Sequence, residues 1–297
     1  MKHVMSISLG STKRNFCTQA NIAGQICYLE RIGTNGDVKA MKELFHYYAG
    51  MVDAFGLGGT DLYLYAGKNR YTFHQSKEII ACAGNTPVFD GSGLKNTLEP
   101  YVLDKLQQNG IIDLQDAEVL LVCGTDRFGM ADYFYKYAKE VVFGDLMFGL
   151  SLPLPIRNIK SLGILAQIIA PIITKMPVRW FYPVGTKQDQ QQTRFAKYFL
   201  SADIIAGDFH FIRRYMPDEL PGKIIITNTV TDSDKELLRA AKAKLLVTTT
   251  PNFNGRSFGT NLLEAALFAT KGLRCDAGGI TDQIIKQAGI DFSIFYL

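Results

Sequence analysis

The densest group of residues that could carry out acid–base chemistry follows the apolar segment 203–206. It consists of Asp208, His210, Arg213 and Arg214. An Asp–His pair can act as general base and acid near neutral pH, and arginines bind carboxylates or phosphates. A histidine among aromatic residues is also often structural. The sequence therefore leaves two roles open for His210, catalysis with Asp208 or packing.

Lys95 is a second candidate for proton transfer. It lies in the polar segment 90–97, which we predict to be a loop between a strand and a helix, where two domains meet. A lysine amine in such a cleft can donate a proton or bind a carboxylate, and a solvated lysine is the alternative. Neighbouring Asn96 either caps the following helix or contacts substrate. We predict that Lys95 and His210 face one cleft as the chemical pair.

The segment from Val119 to Asp145 has the order of a mononucleotide-binding βαβ unit. A glycine turn separates an apolar strand from a helix, and Asp145 follows Gly124 by 21 residues, close to the offset of about 20 at which an acidic residue meets ribose. Glycine turns at helix N-termini bind phosphates. The predicted cofactor-binding residues are Gly124, Thr125, Asp126, Arg127, Gly129, Asp145 and Thr249.

The identity of the cofactor stays open between two classes. NAD or NADP is the first prediction, and the charge of Asp145 favours NAD because it repels a 2′-phosphate. The turn lacks the full GxGxxG pattern, and Asp126 places a negative charge where phosphates would lie. S-adenosylmethionine, which has no phosphates, is therefore the alternative, and an α/β crossover without any ligand is the third possibility.

Four segments of the chain resemble the shikimate/quinate dehydrogenase family: 93–97, 110–114, 119–124 and 259–265. The resemblance implies a Rossmann-type domain, a smaller substrate domain and hydride transfer with a nicotinamide cofactor. The family's catalytic Asp corresponds to Leu98, with Glu99 next. Its lysine motif is missing from the first domain, and Lys95 is the nearest substitute.

Substrate contacts are expected from the loop after the first strand, from the helix that returns near the C-terminus, and from polar residues at strand ends. The resemblance supplies the first two groups, and the strand-end positions come from chain order. The predicted substrate-binding residues are Ser8, Ser11, Asn96, Arg213, Arg214, Arg256, Asn261 and Glu264.

The elements that must position these residues alternate between apolar strands and helices. Such alternation predicts an α/β fold, namely a doubly wound parallel-sheet Rossmann domain with a smaller α/β substrate domain. We assign residues 1–97 to the substrate domain, completed by 259–297, and residues 98–258 to the Rossmann domain. The apolar segment 159–180 is a dimer contact, a lid or a surface for an apolar substrate, and the first of these predicts a homodimer.

Composition restricts the function classes. Of 297 residues, 47% are hydrophobic and 20% charged, with a formal net charge of +4 and no basic run typical of nucleic-acid binding. Five cysteines without CxxC spacing argue against a disulfide framework or metal site and for a reducing cytoplasm. No apolar segment reaches the roughly 20 residues of a membrane span.

The sequence thus favours NAD(P)-dependent hydride transfer on a small polar, anionic substrate. The alternatives are an S-adenosylmethionine-dependent methyltransferase on a Rossmann core and a ligand-binding protein without catalytic activity.

Overall fold

The computed structural model describes residues 1–66, 69–177, 193–253, 255–272 and 282–297. Two features named above lie outside this description: the end of the apolar segment at 178–180 and the side chain of Arg256. Among the described residues, no helix combines the length and apolarity that crossing a membrane requires.

Fifteen strands and ten helices are found in these residues. The strands, in chain order, are β1 (Lys2–Ser8), β2 (Phe16–Ile22), β3 (Gln25–Gly33), β4 (Ala54–Gly58), β5 (Tyr63–Ala66), β6 (Asn69–Thr72), β7 (Val88–Phe89), β8 (Glu118–Leu121), β9 (Glu140–Phe143), β10 (Ile204–Ala206), β11 (Ile224–Thr227), β12 (Leu245–Thr248), β13 (Asn252–Phe253), β14 (Arg256–Ser257) and β15 (Ser293–Tyr296). The helices are α1 (Val38–Tyr48), α2 (His74–Ile80), α3 (Ser92–Gln108), α4 (Phe128–Tyr137), α5 (Ile159–Ile173), α6 (Ala196–Ser201), α7 (Phe209–Tyr215), α8 (Asp232–Ala240), α9 (Thr260–Lys271) and α10 (Asp282–Gln287).

The first sheet has the order β2-β3-β1-β4-β7, and all its strands except β2 run parallel. Side chains alternate between its two faces, as they must in a strand. Val4 of β1 belongs to the core on the face covered by α9, whereas Met5 belongs to the core with Met41 and Phe45 of α1. Both faces are therefore buried.

The second sheet has the order β15-β12-β11-β10-β8-β9, in which β15 alone is antiparallel. Its parallel strands are continuous apolar segments, such as the fully buried Leu245–Thr248, because helices cover both faces. The predicted class, α/β with parallel-sheet cores, is confirmed.

Two helices tie the sheets together. The domain boundary predicted at residue 97 falls inside α3, and α9 packs against β1 and β4 of the first sheet before β15 returns to the second. Helix α3 begins six residues earlier than predicted because Gly91 adopts a left-handed φ of 85° and the Asp90 carboxylate accepts a hydrogen bond from Ser92 N. The loop predicted around Lys95 is therefore helical.

Candidate functional site

A polar cavity of about 150 Å³ lies where the carboxyl ends of the parallel strands of both sheets meet. Ser8 is the last residue of β1 and Asp61 follows β4 on one side, and Asp126 follows β8 and Asp208 follows β10 on the other. In each sheet the strand order reverses between these two strands. In the first sheet β3 lies on one side of β1 and β4 on the other, and in the second sheet β9 lies on one side of β8 and β10 on the other. Ligands of open α/β sheets bind at such reversal points.

The predicted site residues divide into two groups. Those that line the polar cavity are Ser8, Lys95, Asp126, Arg127, Asp208, His210 and Asn261. Those that lie elsewhere among the described side chains are Ser11, Asn96, Gly124, Thr125, Gly129, Asp145, Arg213, Arg214, Thr249 and Glu264. The predicted pair Lys95 and His210 thus shares one cavity.

Lys95 connects the two sheet edges. Its Nζ donates to Asp61 Oδ1 at 2.9 Å and to Asp126 Oδ1 at 3.0 Å, and its side chain is only 9% exposed. Burial alone lowers the pKa of Lys95, but the Asp126 and Asp61 carboxylates together raise it above its ordinary value. Lys95 is therefore an ammonium ion that is paired with two carboxylates and retains its proton at neutral pH. This differs from the proton donor that the sequence predicted.

Arg127 forms a second buried ion pair beside the first. Its guanidinium donates to Glu99 of α3 and approaches Asp208 Oδ2 at 3.6 Å. Burial raises the pKa of Glu99, an effect that Arg127 opposes. Arg127 was predicted to bind the cofactor, but its guanidinium is paired with Glu99, and its Nε also lies 3.9 Å from Asp126 Oδ2.

His210 contacts an arginine rather than the carboxylate of Asp208. Asp208 caps α7, and its carboxylate accepts from the backbone N of His210 at 2.8 Å. The His210 Nε2 lies 3.2 Å from Arg14 Nη1, and Arg14 Nη2 donates to Asp234 at 2.6 Å. Burial and the Arg14 charge lower the pKa of His210 to about 4. Its ring is therefore neutral at pH 7 and accepts from Arg14.

The remaining arginines of this cluster point away from the cavity. Arg213 Nη1 donates to Asp234 Oδ1 at 3.1 Å, and the Arg214 guanidinium lies 5.4 Å from the centre of the Tyr215 ring. Both predicted substrate contacts thus belong to the helix surface around α7 and α8. The sequence could not separate them from cavity residues because α7 is only 7 residues long and each side chain leaves it in a different direction.

The glycine turn after β8 is filled by a side chain of the protein itself. Asp145 Oδ2 accepts from Gly124 N at 2.9 Å, and Oδ1 accepts from Thr125 N at 2.8 Å and from Thr125 Oγ1 at 2.7 Å. These are the donors that a nucleotide-binding turn directs at its ligand. The Asp145 carboxylate is thus engaged inside the turn, and this differs from the ribose contact predicted for it.

Gly129 and Asn96 owe their positions to helix packing. A Cβ added to Gly129 would lie 2.8 Å from Asn96 O, so the glycine permits the close approach of α4 to α3. Asn96 lies inside α3, where its amide donates to Ser92 O and its Oδ1 accepts from Gly129 N at 3.3 Å. The predicted roles for Asn96 were capping of the helix that follows it directly or contact with substrate; neither matches this position inside α3, although its Oδ1 accepts from the first turn of α4. Thr249 is fully buried behind the sheet edge, where its backbone N donates to Thr227 O.

Of the substrate contacts predicted near the first strand and on the returning helix, Ser8 and Asn261 line the polar cavity, whereas Ser11 and Glu264 do not. Ser8 Oγ accepts from Gly10 N at 3.0 Å and from Arg31 Nη2 at 3.1 Å, and Asn261 Nδ2 donates to Ser6 Oγ at 2.7 Å. Both residues therefore shape the cavity wall. Ser11 instead caps the short helical turn 12–14, and Glu264 is buried on α9 beside a different cavity.

Cavity residues that sequence reasoning missed come mainly from the first domain. Arg14, Arg31 and Asp61 each follow or lie within a strand of the first sheet, but no motif marks them. One sequence pattern could have indicated Asp61: the strand that ends at Leu57–Gly59 is followed by the polar residues Thr60 and Asp61. Glu99 carried a second signal, because its charge interrupts the buried series Leu94, Leu98 and Val102 of α3.

Charges in the cavity wall balance. Among the described residues lining it, the cations are Arg14, Arg31, Lys95 and Arg127, and the carboxylates are Asp61, Asp90, Asp126 and Asp208. His210 adds no charge at neutral pH, since its pKa lies at about 4. The wall as a whole therefore does not attract an anion.

Solved structures similar to the chain include sugar-binding proteins and a malic enzyme. A galactofuranose binding protein is 10% identical, with 100% of this chain and 95% of that one covered at a TM-score of 0.36. A substrate-binding protein of a sugar ABC transport system from Bordetella parapertussis is 8% identical over 95% and 82% of the two chains, at 0.33. The NAD-dependent malic enzyme of Thermotoga maritima is 14% identical over 83% and 65%, at 0.32.

The prediction of an NAD(P)-dependent dehydrogenase of the quinate/shikimate type is wrong. None of the three similar structures described above is a quinate or shikimate dehydrogenase, and two of them are sugar-binding proteins. The physical reason lies in two features described above: Asp145 occupies the donors of the glycine turn, and the balanced wall charges offer no preference for an anionic substrate.

Comparison of sequences identifies the chain by family. No curated protein matches it. Residues 3–90 match the family described as Domain of unknown function (DUF8753), and residues 93–297 match the one described as Domain of unknown function (DUF8754). The division falls between β7 and α3, at the link between the two sheets. Because its match spans more than half of the chain, the second family is the one to which this protein belongs: Domain of unknown function (DUF8754).

Proposed function

We propose that the protein binds, without transforming it, a small neutral compound rich in hydroxyl groups, held between the two sheets. The observation that carries this proposal is the charge-balanced polar cavity at the reversal points of both sheets. A cavity of about 150 Å³ takes a molecule about the size of one six-membered ring.

The ion pairs of the wall determine which ligands fit. Lys95 is held by two carboxylates, and Arg127 and Arg14 donate to Glu99 and Asp234. An anionic ligand would have to compete with these carboxylates for the same donors. A hydroxyl group can both donate to a carboxylate and accept from a cation, so it joins such a network without breaking it.

Other wall residues suit a ring with polar edges and apolar faces. Ser6, Thr60 and Thr229 bring hydroxyl groups, and Phe211 and Phe258 bring aromatic surface. Binding pockets commonly combine apolar walls with a few polar groups that fix orientation. A sugar or cyclic polyol presents both kinds of surface.

A thermal-shift screen tests the proposal. The panel contains galactose, xylose, ribose and myo-inositol, the acid galacturonate, and NAD, NADP and S-adenosylmethionine. A ligand that binds the folded state raises the melting temperature by mass action. We expect stabilisation by a neutral member of the panel. Stabilisation by galacturonate over galactose, or by a nucleotide alone, would contradict the proposal.

A pair of substitutions locates the binding. Thr229→Val removes a cavity hydroxyl without changing the shape of the side chain, whereas Thr193→Val changes an exposed position. Because one hydrogen bond contributes about 0.5–1.5 kcal/mol, we expect Thr229→Val to weaken binding of the neutral ligand up to about tenfold. Thr193→Val should leave it unchanged. Equal affinities of the two variants would place the ligand elsewhere.

A further inference from the structure

A second cavity, of about 120 Å³, adjoins the polar one. It lies between α5 and the β5–β6 hairpin, which belong to different domains. Leu64 and Phe73 form one wall, and Leu165, Ile169 and Ile173 of α5 form the other. We call it the apolar cavity. Its volume is comparable to that of cavities that stay dry and accept a single aromatic ring.

The polar groups at the base of the apolar cavity are already engaged. Both oxygens of the Asp145 carboxylate accept hydrogen bonds from the glycine turn. Burial, together with the nearby Asp145, raises the pKa of the Cys123 thiol well above its ordinary value, so the thiol keeps its proton. A polar ligand would find few unengaged groups here, and an apolar one would find matching walls.

Two residues line both cavities, Asp126 and Phe211. Asp126 faces the polar side through its bond to Lys95, and Phe211 projects from α7 as an aromatic surface. The boundary between the cavities is therefore formed by one charged and one apolar side chain. A molecule bound beside Phe211 can have its polar part on one side and its apolar part on the other.

We propose that the natural ligand has two parts, a hydroxyl-rich ring in the polar cavity and an apolar substituent the size of one aromatic ring in the apolar cavity. The polar half of this inference rests on the function proposed above. The apolar half rests on the second cavity alone. The ligand class is thus an aryl or short-alkyl glycoside or a comparable polyol derivative.

The apolar cavity is tested first with fluorobenzene as the probe, observed by ¹⁹F NMR. Ile169→Trp places a larger side chain in the cavity, and Ile168→Trp makes the same substitution at an exposed neighbour on α5. We expect fluorobenzene to bind the wild type and Ile168→Trp, and at least tenfold more weakly to Ile169→Trp. If Ile169→Trp does not fold, Leu165→Trp with Ile164→Trp as its control makes the same comparison. Failure of fluorobenzene to bind the wild type would overturn the inference.

The joining of the two parts is tested with matched methyl and phenyl β-glycosides of galactose, xylose and ribose. Burying a phenyl ring removes enough apolar surface from water to strengthen binding by at least tenfold. We expect this gain in the wild type and its loss in Ile169→Trp, with the methyl glycoside unaffected. If fluorobenzene binds but no phenyl glycoside exceeds its methyl partner, a single two-part ligand is excluded. If no glycoside binds while fluorobenzene does, the two-part ligand is excluded and the cavity is an independent apolar site, whereas the proposed function fails only if the neutral members of the thermal-shift panel also fail to bind.

Discussion

Replacing Asp145 separates a structural carboxylate from one that binds a ligand. In Asp145→Ala, the backbone N–H groups of the buried Gly124 and the half-buried Thr125 lose their acceptors. An unsatisfied buried donor costs about 1–3 kcal/mol. Two such donors therefore lower the free energy of unfolding by about 2–6 kcal/mol. Asp145→Asn keeps one acceptor oxygen, so we expect about half of that loss.

Urea denaturation followed by circular dichroism measures these changes, with Asp116→Ala as the control for loss of an exposed acidic residue. Asp116→Ala should change stability by less than about 0.5 kcal/mol. Asp145 does not line the polar cavity, so the affinity of a ligand bound there should remain near that of the wild type in both Asp145 variants. A loss of stability below about 1 kcal/mol in Asp145→Ala, or a selective loss of ligand affinity in a stable variant, would refute this reasoning.

Three further outcomes are expected. Lys95→Met removes the ammonium group between the buried Asp61 and the half-buried Asp126 carboxylates and should lower the free energy of unfolding by about 3–5 kcal/mol in urea titrations. A change near zero would mean that the ion pairs do not hold the sheet edges together. The pKa of His210 falls from 6.5 to about 4 on folding, so the folded state binds fewer protons and loses stability as pH falls from 6.5 toward 4. This pKa shift corresponds to a loss of about 3 kcal/mol of stability, which the partial exposure of His210 reduces to about 2 kcal/mol. His210→Gln should remove this pH dependence when unfolding is compared at pH 7.5 and 4.5. Gly129→Ala places a Cβ 2.8 Å from Asn96 O and should cost about 2 kcal/mol, whereas Gly163→Ala, at an uncrowded helical position, should be neutral or stabilising in the same titration.

The alternation of strands and helices was predictable because it depends on local patterns. Apolar segments without alternation, such as Val119–Leu121, indicate strands buried on both faces. The hairpin between β2 and β3 turns at Ala23–Gly24, where both residues adopt positive φ angles, 53° and 83°. Asp37 caps α1, and its side chain accepts from Lys39 N and Ala40 N. Each of these features depends on residues close together in the sequence.

The candidate site was harder to predict because its contacts are distant in the chain. Arg14 and His210 are separated by 196 positions, and no local pattern brings them together. The spacing of Gly124 and Asp145 fits two structures equally, a carboxylate that meets a ribose and one that fills the turn. Only the packing decides between them, and here a Cβ at Gly124 would already lie 2.8 Å from Leu162 of α5.

The passage of the chain from one sheet to the other and back affects how the protein is made. One face of the first sheet is covered by α9, whose Leu262 and Leu263 belong to the same core as Val4 and Leu29. During synthesis on the ribosome, β1 emerges more than 250 residues before this helix is available. The apolar face of the nascent first sheet must therefore stay uncovered until α9 has been synthesised. A chain ending where the first family match ends, at residue 90, would need another cover for that face.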